Sequence, residues 1–103
     1  IKTLVSWFDR QLPNSDCTLE QAAELLEISA RSLQRRLQKQ DLTYQQLLSK
    51  FRQDKAIRLL KETNMSILEI ANTLGFQEQS SFSTAFKSWL GCSPMEFTKT
   101  YRH

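Results

Sequence analysis

The chain states one plan twice. From Thr18, TLEQAAELLEISARSLQRRL reads as a short helix, a tight break and a second helix. From Ser66, SILEIANTLGFQEQSSFSTAF repeats that order about 48 residues later, with one residue added inside the break. Ala23 and Ala71 stand midway along the first helix of each copy, and Leu26 and Leu74 close it. Leu33 and Leu37 in one copy answer Phe82 and Phe86 in the other. A unit of about 20 residues, with a small side chain where two helices cross closely, has the sequence form of a helix-turn-helix. Two such units in a chain of 103 residues predict an all-α fold.

Helix starts are marked independently of the hydrophobic pattern. Thr18 with Gln21, Thr43 with Gln46, Ser66 with Glu69 and Ser93 with Glu96 each have the spacing of a capping box, in which hydroxyl and N3 side chain satisfy free backbone donors. Pro94 follows Ser93 at the first helical position, where its missing N–H does no harm. Gly75 and Gly91 stand where helices should end in a left-handed residue. Ile1, Leu4, Val5, Phe8 and Leu12 recur at helical spacing and give a first helix that stops at Pro13, with residues 13–16 as a loop. The expectation is seven helices, near 2–11, 19–26, 30–40, 44–62, 67–74, 79–90 and 94–101. They form one domain with a first helix-turn-helix subdomain over 1–42, a linker helix over 43–62 and a second subdomain over 63–103. The long fourth helix would span about 28 Å at 1.5 Å per residue, of the order of the ~34 Å repeat of B-DNA.

Charge placement says more than the net value of +3. Residues 29–40 hold Arg31, Arg35, Arg36 and Lys39 with no acid, which is how a nucleic-acid footprint begins. With Leu33 and Leu37 turned inward, helical geometry sends Arg31, Arg35 and Gln38 to the opposite face, flanked by Ser32, Gln34 and Lys39. Arg36 falls on the other shoulder, nearer the core. Arginine pairs with guanine and glutamine with adenine through two hydrogen bonds each, while lysine and serine readily hold phosphates. The sixth helix, with Phe82, Ala85, Phe86 and Trp89 inward, exposes Ser80, Thr84, Lys87 and Ser88, with Gln79 at its start and Ser83 to one side. Short hydroxyl side chains reach base edges poorly, so the first unit is expected to supply most specificity and the second affinity and register. Arg52 shares a face of the long helix with Leu48 and Leu59, and a carboxylate partner, Glu24 or Glu69, is expected for it because an unpaired buried charge is costly.

Other chemistry is poorly supplied. The single histidine is His103 at the end of the chain, neither cysteine has a local base partner, and there is no Gly-rich phosphate loop, so an enzyme is not expected. Cys17 and Cys92 are too few for a disulfide framework or a zinc site and are read as reduced thiols; no metal or cofactor is called for. No apolar run approaches the ~20 residues that span a bilayer and no signal peptide is evident, so a cytoplasmic protein without membrane contact is expected. The first residue is Ile1 rather than Met, which suggests a piece of something longer.

Together, ISARSLQRRL, FRQDKAIRLL and ILEIANTLGFQEQSSFSTAFKSWLGCSP resemble the DNA-binding domain of AraC/XylS-type transcription regulators, over about residues 15–98. The resemblance implies seven helices in two subdomains, and double-stranded DNA as the partner. It also implies a separate effector-binding or dimerisation domain towards the N-terminus, and base contacts from Arg31, Gln34 and Arg35 and from Gln79, Ser80, Ser83 and Thr84. It implies a bacterial regulator, an activator by this likeness, reading an asymmetric site with two helices in successive major grooves. Two residues depart from the pattern: Thr84 stands where many members carry Arg, and Glu27 replaces a Gly common at the first turn, where strain would cost up to ~1 kcal/mol. The alternative from another class is a helical interaction module docking on RNA polymerase or another partner.

Overall fold

The computed structural model describes residues 2–101; Ile1 of the first apolar stripe and the terminal His103 lie outside the described residues. The described residues form seven α-helices: α1 (Lys2–Gln11), α2 (Leu19–Leu25), α3 (Ala30–Gln38), α4 (Tyr44–Glu62), α5 (Ile67–Thr73), α6 (Gln79–Leu90) and α7 (Pro94–Tyr101). Where a loop was expected at Pro13, a 3-10 turn covers Leu12–Asn14. Proline is at home there, because the opening N–H groups of a helical turn have no partner within it. The third helix closes at Gln38, two residues before the expected 40. No helix among the described residues is long and apolar enough to cross a membrane.

All four capping boxes form. Thr18 accepts from the Gln21 N–H at 3.2 Å and Gln21 Oε1 accepts the Thr18 N–H at 3.0 Å. The reciprocal pair recurs at Thr43 and Gln46 (3.1 and 2.9 Å), at Ser66 and Glu69 (3.0 and 3.1 Å), and at Ser93 and Glu96 (3.1 and 3.3 Å). The glutamates differ from the glutamines in one respect: they titrate. Glu69 is held below its ordinary 4.5 first by the Ser66 backbone N–H and then by the Ser66 hydroxyl. Glu96 is lowered in the same order by Ser93, with the charges of Lys87 and Lys99 adding to the effect.

The chain divides into two compact units, one ending at Phe51 and the other starting at Arg52, so α4 contributes its first part to one and its remainder to the other. In the first unit, Leu4, Trp7, Phe8 and Leu12 pack with Ala22, Ala23, Leu33, Leu37, Tyr44, Leu47 and Leu48. The Phe8 ring meets Tyr44 and Phe51 at 5.9 and 5.6 Å between centroids. In the second, Ala56 and Leu60 pack with Ile70, Ala71, Leu74, Phe82, Phe86 and Phe97. The two mid-helix alanines are buried as their small size requires, and α2 packs on α3 as α5 packs on α6. No polar or charged residue is buried among those described. Arg52 settles within the second unit: its Nε donates to the Leu74 carbonyl at 3.0 Å, and its guanidinium lies 5.0 Å from the centre of the Phe76 ring. That carbonyl belongs to the end of α5, where helical oxygens otherwise go unpaired.

The turn between the two helices of each unit is the same object twice. Leu26 and Leu74 end their helices at φ −87° and −86°, and the next residue turns left-handed, Glu27 at φ 58° and Gly75 at φ 87°. The Glu27 N–H bonds Glu24 O at 3.1 Å and the Ile28 N–H reaches Ala23 O at 3.0 Å. Gly75 and Phe76 repeat this to Asn72 and Ala71 at 3.1 and 3.0 Å, the double bond of a Schellman ending. Glycine adopts this backbone without strain; a side chain with a Cβ does so at a cost.

Two outcomes follow for stability. Glu27→Gly should raise the unfolding free energy by about 0.5–1 kcal/mol, read as a higher urea midpoint at unchanged slope. Gly91→Ala, at φ 81° with nothing within 4 Å of the added methyl, should lower it by a similar amount through backbone strain alone. A third concerns pH. Because Glu69 and Glu96 titrate lower folded than unfolded, their support is complete above the ordinary glutamate value and is lost as pH falls below 4.5 and through their folded values. Denaturation series from pH 7 to pH 3 should therefore show a smaller acid loss in a Glu69→Gln, Glu96→Gln double variant than in the parent.

Candidate nucleic-acid interface

Helix α3 begins at Ser29, whose hydroxyl accepts from the Ser32 N–H at 3.1 Å and donates to Ser32 Oγ at 3.0 Å. Ser32, expected beside the reading face, is half-buried and engaged with this cap. Leu33 and Leu37 are each 2% exposed, which sets the rotation of the helix. Arg31, Gln34, Arg35 and Gln38 then stand in solvent along one stripe at the i, i+3, i+4, i+7 spacing. They line a groove of about 410 Å³ together with Leu42, Thr43 and Tyr44. Lys39 is exposed at the C-cap, where its N–H bonds the Arg35 and Leu37 carbonyls. Arg36, placed by helical geometry nearer the core, is exposed as well and is not part of the groove lining.

Helix α6 repeats the architecture with other chemistry. Phe82 and Phe86 are fully buried, their rings 5.8 Å apart, and Phe86 meets Phe97 at 5.5 Å. Trp89 is half-buried against Phe76 and Phe86, in the packing role expected of it. The outward side holds Gln79, Ser80, Thr84 and Lys87 in solvent, with Ser83 half-buried. Glu78 occupies the N-cap position in an extended conformation but makes no side-chain cap bond; its Oε2 accepts from Ser80 Oγ at 3.5 Å. Lys87 also lies close enough to Glu96 to help lower its pKa.

Each unit therefore presents one helix whose apolar side is locked and whose polar side faces mainly solvent. The first offers two guanidiniums and two carboxamides without a carboxylate among them; the second offers hydroxyls, one carboxamide and one ammonium, with an acid at its start. The wall formed by Leu42, Thr43 and Tyr44 was not foreseen. Its one sequence signal is the capping box at Thr43, which starts α4 with only five residues between it and α3 and so forces a sharp corner. Asp41 makes that corner at φ 57°, its N–H on Gln38 O at 2.9 Å, with the Leu42 N–H on Leu37 O at 3.1 Å. The Tyr44 hydroxyl donates to the Cys17 carbonyl, which ties the corner to the start of α2.

Residues 22–100 match a family model described as a helix-turn-helix domain. The ornithine utilization regulator of Pseudomonas aeruginosa is 43% identical over 79 residues, which make up 77% of this chain and 23% of that protein. The chain spans about a quarter to a third of the length of the curated relatives it matches. Among solved structures, the C-terminal domain of AraT, a response regulator from Geobacillus stearothermophilus, superposes with a TM-score of 0.84 at 37% identity, over 96% of this chain and 83% of that one. The DNA-binding domain of the global transcriptional factor AdpA, solved in complex with a target DNA, also gives 0.84, at 27% identity and over 98% and 91% of the two chains.

Proposed function

The chain belongs to the AraC-type helix-turn-helix family, and on that footing we propose that it is a sequence-specific double-stranded DNA-binding domain of a bacterial transcription regulator. The observation that carries this reading is the acid-free stripe of Arg31, Gln34, Arg35 and Gln38 on α3, capped at its start and held outward by Leu33 and Leu37. Those side chains have the donors and acceptors that discriminate bases in the major groove. The AdpA domain, of the same fold, was solved in complex with a target DNA, which supports DNA as the partner. In this reading Arg31, Gln34, Arg35 and Gln38 read bases, Lys39 and Lys87 hold phosphates, and Gln79, Ser80, Ser83 and Thr84 add contacts of lower specificity. The two units differ in their exposed chemistry, so the target is an asymmetric site of about two helical turns rather than a palindrome. The domain acts without catalysis, in the cytoplasm, as part of a longer regulator with an effector-binding or dimerisation domain, and activation is the mode the family resemblance favours. Contact with RNA polymerase is a compatible second role, favoured by the exposed apolar side chains Leu68 and Met95, 48% and 57% accessible.

Selection from a random duplex pool should return one asymmetric motif. Arg31→Ala or Arg35→Ala should weaken binding to that motif by about 1–3 kcal/mol and relax preference at one position. Equal weakening on selected and random duplexes would move both arginines from bases to phosphates. Lys39→Ala or Lys87→Ala should instead weaken all duplexes alike and reduce the slope of log affinity against log salt by about one unit. A pure protein-docking module would show no steep salt response on random duplex.

A further inference from the structure

The reading stripe of the first unit is not a free ridge. Arg31, Gln34, Arg35 and Gln38 make one wall of the groove of about 410 Å³, and Leu42, Thr43 and Tyr44 make the other. A helix that only had to enter a major groove would need one convex side. Here a second wall stands beside it, and that wall is tightly held. The Leu42 N–H is bonded to Leu37 O, Thr43 and Gln46 are joined reciprocally, and the Tyr44 hydroxyl is anchored on the Cys17 carbonyl.

The lining narrows the choice of occupant. Sites for small organic ligands are lined mainly by apolar and aromatic side chains. This groove instead presents two guanidiniums, two carboxamides and a hydroxyl, with no carboxylate in its lining. Leu42 is half-buried and Tyr44 is buried in the core, so apolar surface does not dominate the lining but is about evenly matched with polar surface. Positive charge facing a hydroxyl along an open trench suits an extended polyanion. Thr43 Oγ1 accepts from the Gln46 N–H, which leaves the hydroxyl proton to donate.

We infer that this trench seats one sugar–phosphate strand of the duplex whose bases α3 reads, and that Thr43 is a phosphate-contacting, positioning residue. This deepens the DNA-binding reading and rests on it. Phosphate contacts position a protein on the duplex without carrying sequence information, so Thr43 supports binding to any duplex.

Thr43→Asp tests this cleanly, because aspartate caps a helix as well as threonine does while adding a negative charge to the trench. Binding of fluorescent duplexes should fall about tenfold or more at low salt, equally on the selected and a random sequence, and the deficit should shrink as salt rises. Thr43→Ser should bind as the parent does, and thermal unfolding should show both variants folded. Binding of Thr43→Asp within about twofold of the parent at low salt would overturn the inference, as would a loss confined to the selected sequence. The two readings fail differently. If the parent shows no salt-dependent duplex binding, the DNA reading itself falls; if Arg35→Ala relaxes base preference while Thr43→Asp binds normally, only the role of Thr43 falls.

Discussion

A left-handed residue one step past a helix end is the constraint on which each unit depends. Glu27 and Gly75 reverse the chain so that α3 comes back onto α2 and α6 onto α5, and the buried alanines Ala23 and Ala71 allow those helices to meet closely. Without that backbone state the second helix of each pair would leave in another direction, and neither Leu33 and Leu37 nor Phe82 and Phe86 would reach their cores. The outward face of the second helix is then whatever those buried side chains leave over. Its exposure is a by-product of packing, and its chemistry is free to vary.

The two units meet this shared demand unequally. The first takes the strained version of the turn, with a glutamate at φ 58°, but gives its second helix, α3, a serine cap with two hydrogen bonds. The second has the relaxed glycine turn and a helix, α6, whose N-cap, Glu78, makes no side-chain cap bond. Their capping boxes differ in the same way, with neutral glutamine at Gln21 and Gln46 and ionisable glutamate at Glu69 and Glu96. One duplicated plan thus carries two sets of local energetics. It also carries two polar faces, rich in Arg and Gln in one unit and in hydroxyls in the other.

Much of this could be read from residue order. Capping boxes announce helix starts through one short hydrogen-bonding pattern, and all four announced ones form. Period and side-chain volume located the buried side of α3 and α6, and with it the exposure of Arg31, Gln34, Arg35, Gln79 and Thr84. Helix endings were less legible. The early close of α3 and the 3-10 turn at Leu12–Asn14 depend on single backbone angles, to which apolar periodicity is blind. Arg52 adds contacts that charge alone does not suggest: a carbonyl exposed by the end of α5 and the face of Phe76 are among the groups it meets. Ser32, expected to flank the polar face of α3, also accepts a hydrogen bond from the Ser29 hydroxyl, which periodicity does not announce.

Sequence alone determined the helical plan, its duplication and the polar stripes on α3 and α6, because local hydrogen-bonding patterns and helical periodicity are properties of neighbours in the chain. Tertiary structure decided that the stripe of the first unit has a facing wall. That wall exists because Asp41 turns left-handed and Tyr44 reaches the Cys17 carbonyl, a contact between residues 27 apart in the sequence. No periodicity encodes such a meeting; it arises only when the core closes around Phe8, Leu37 and Tyr44 and leaves the chain one way to pass from α3 into α4.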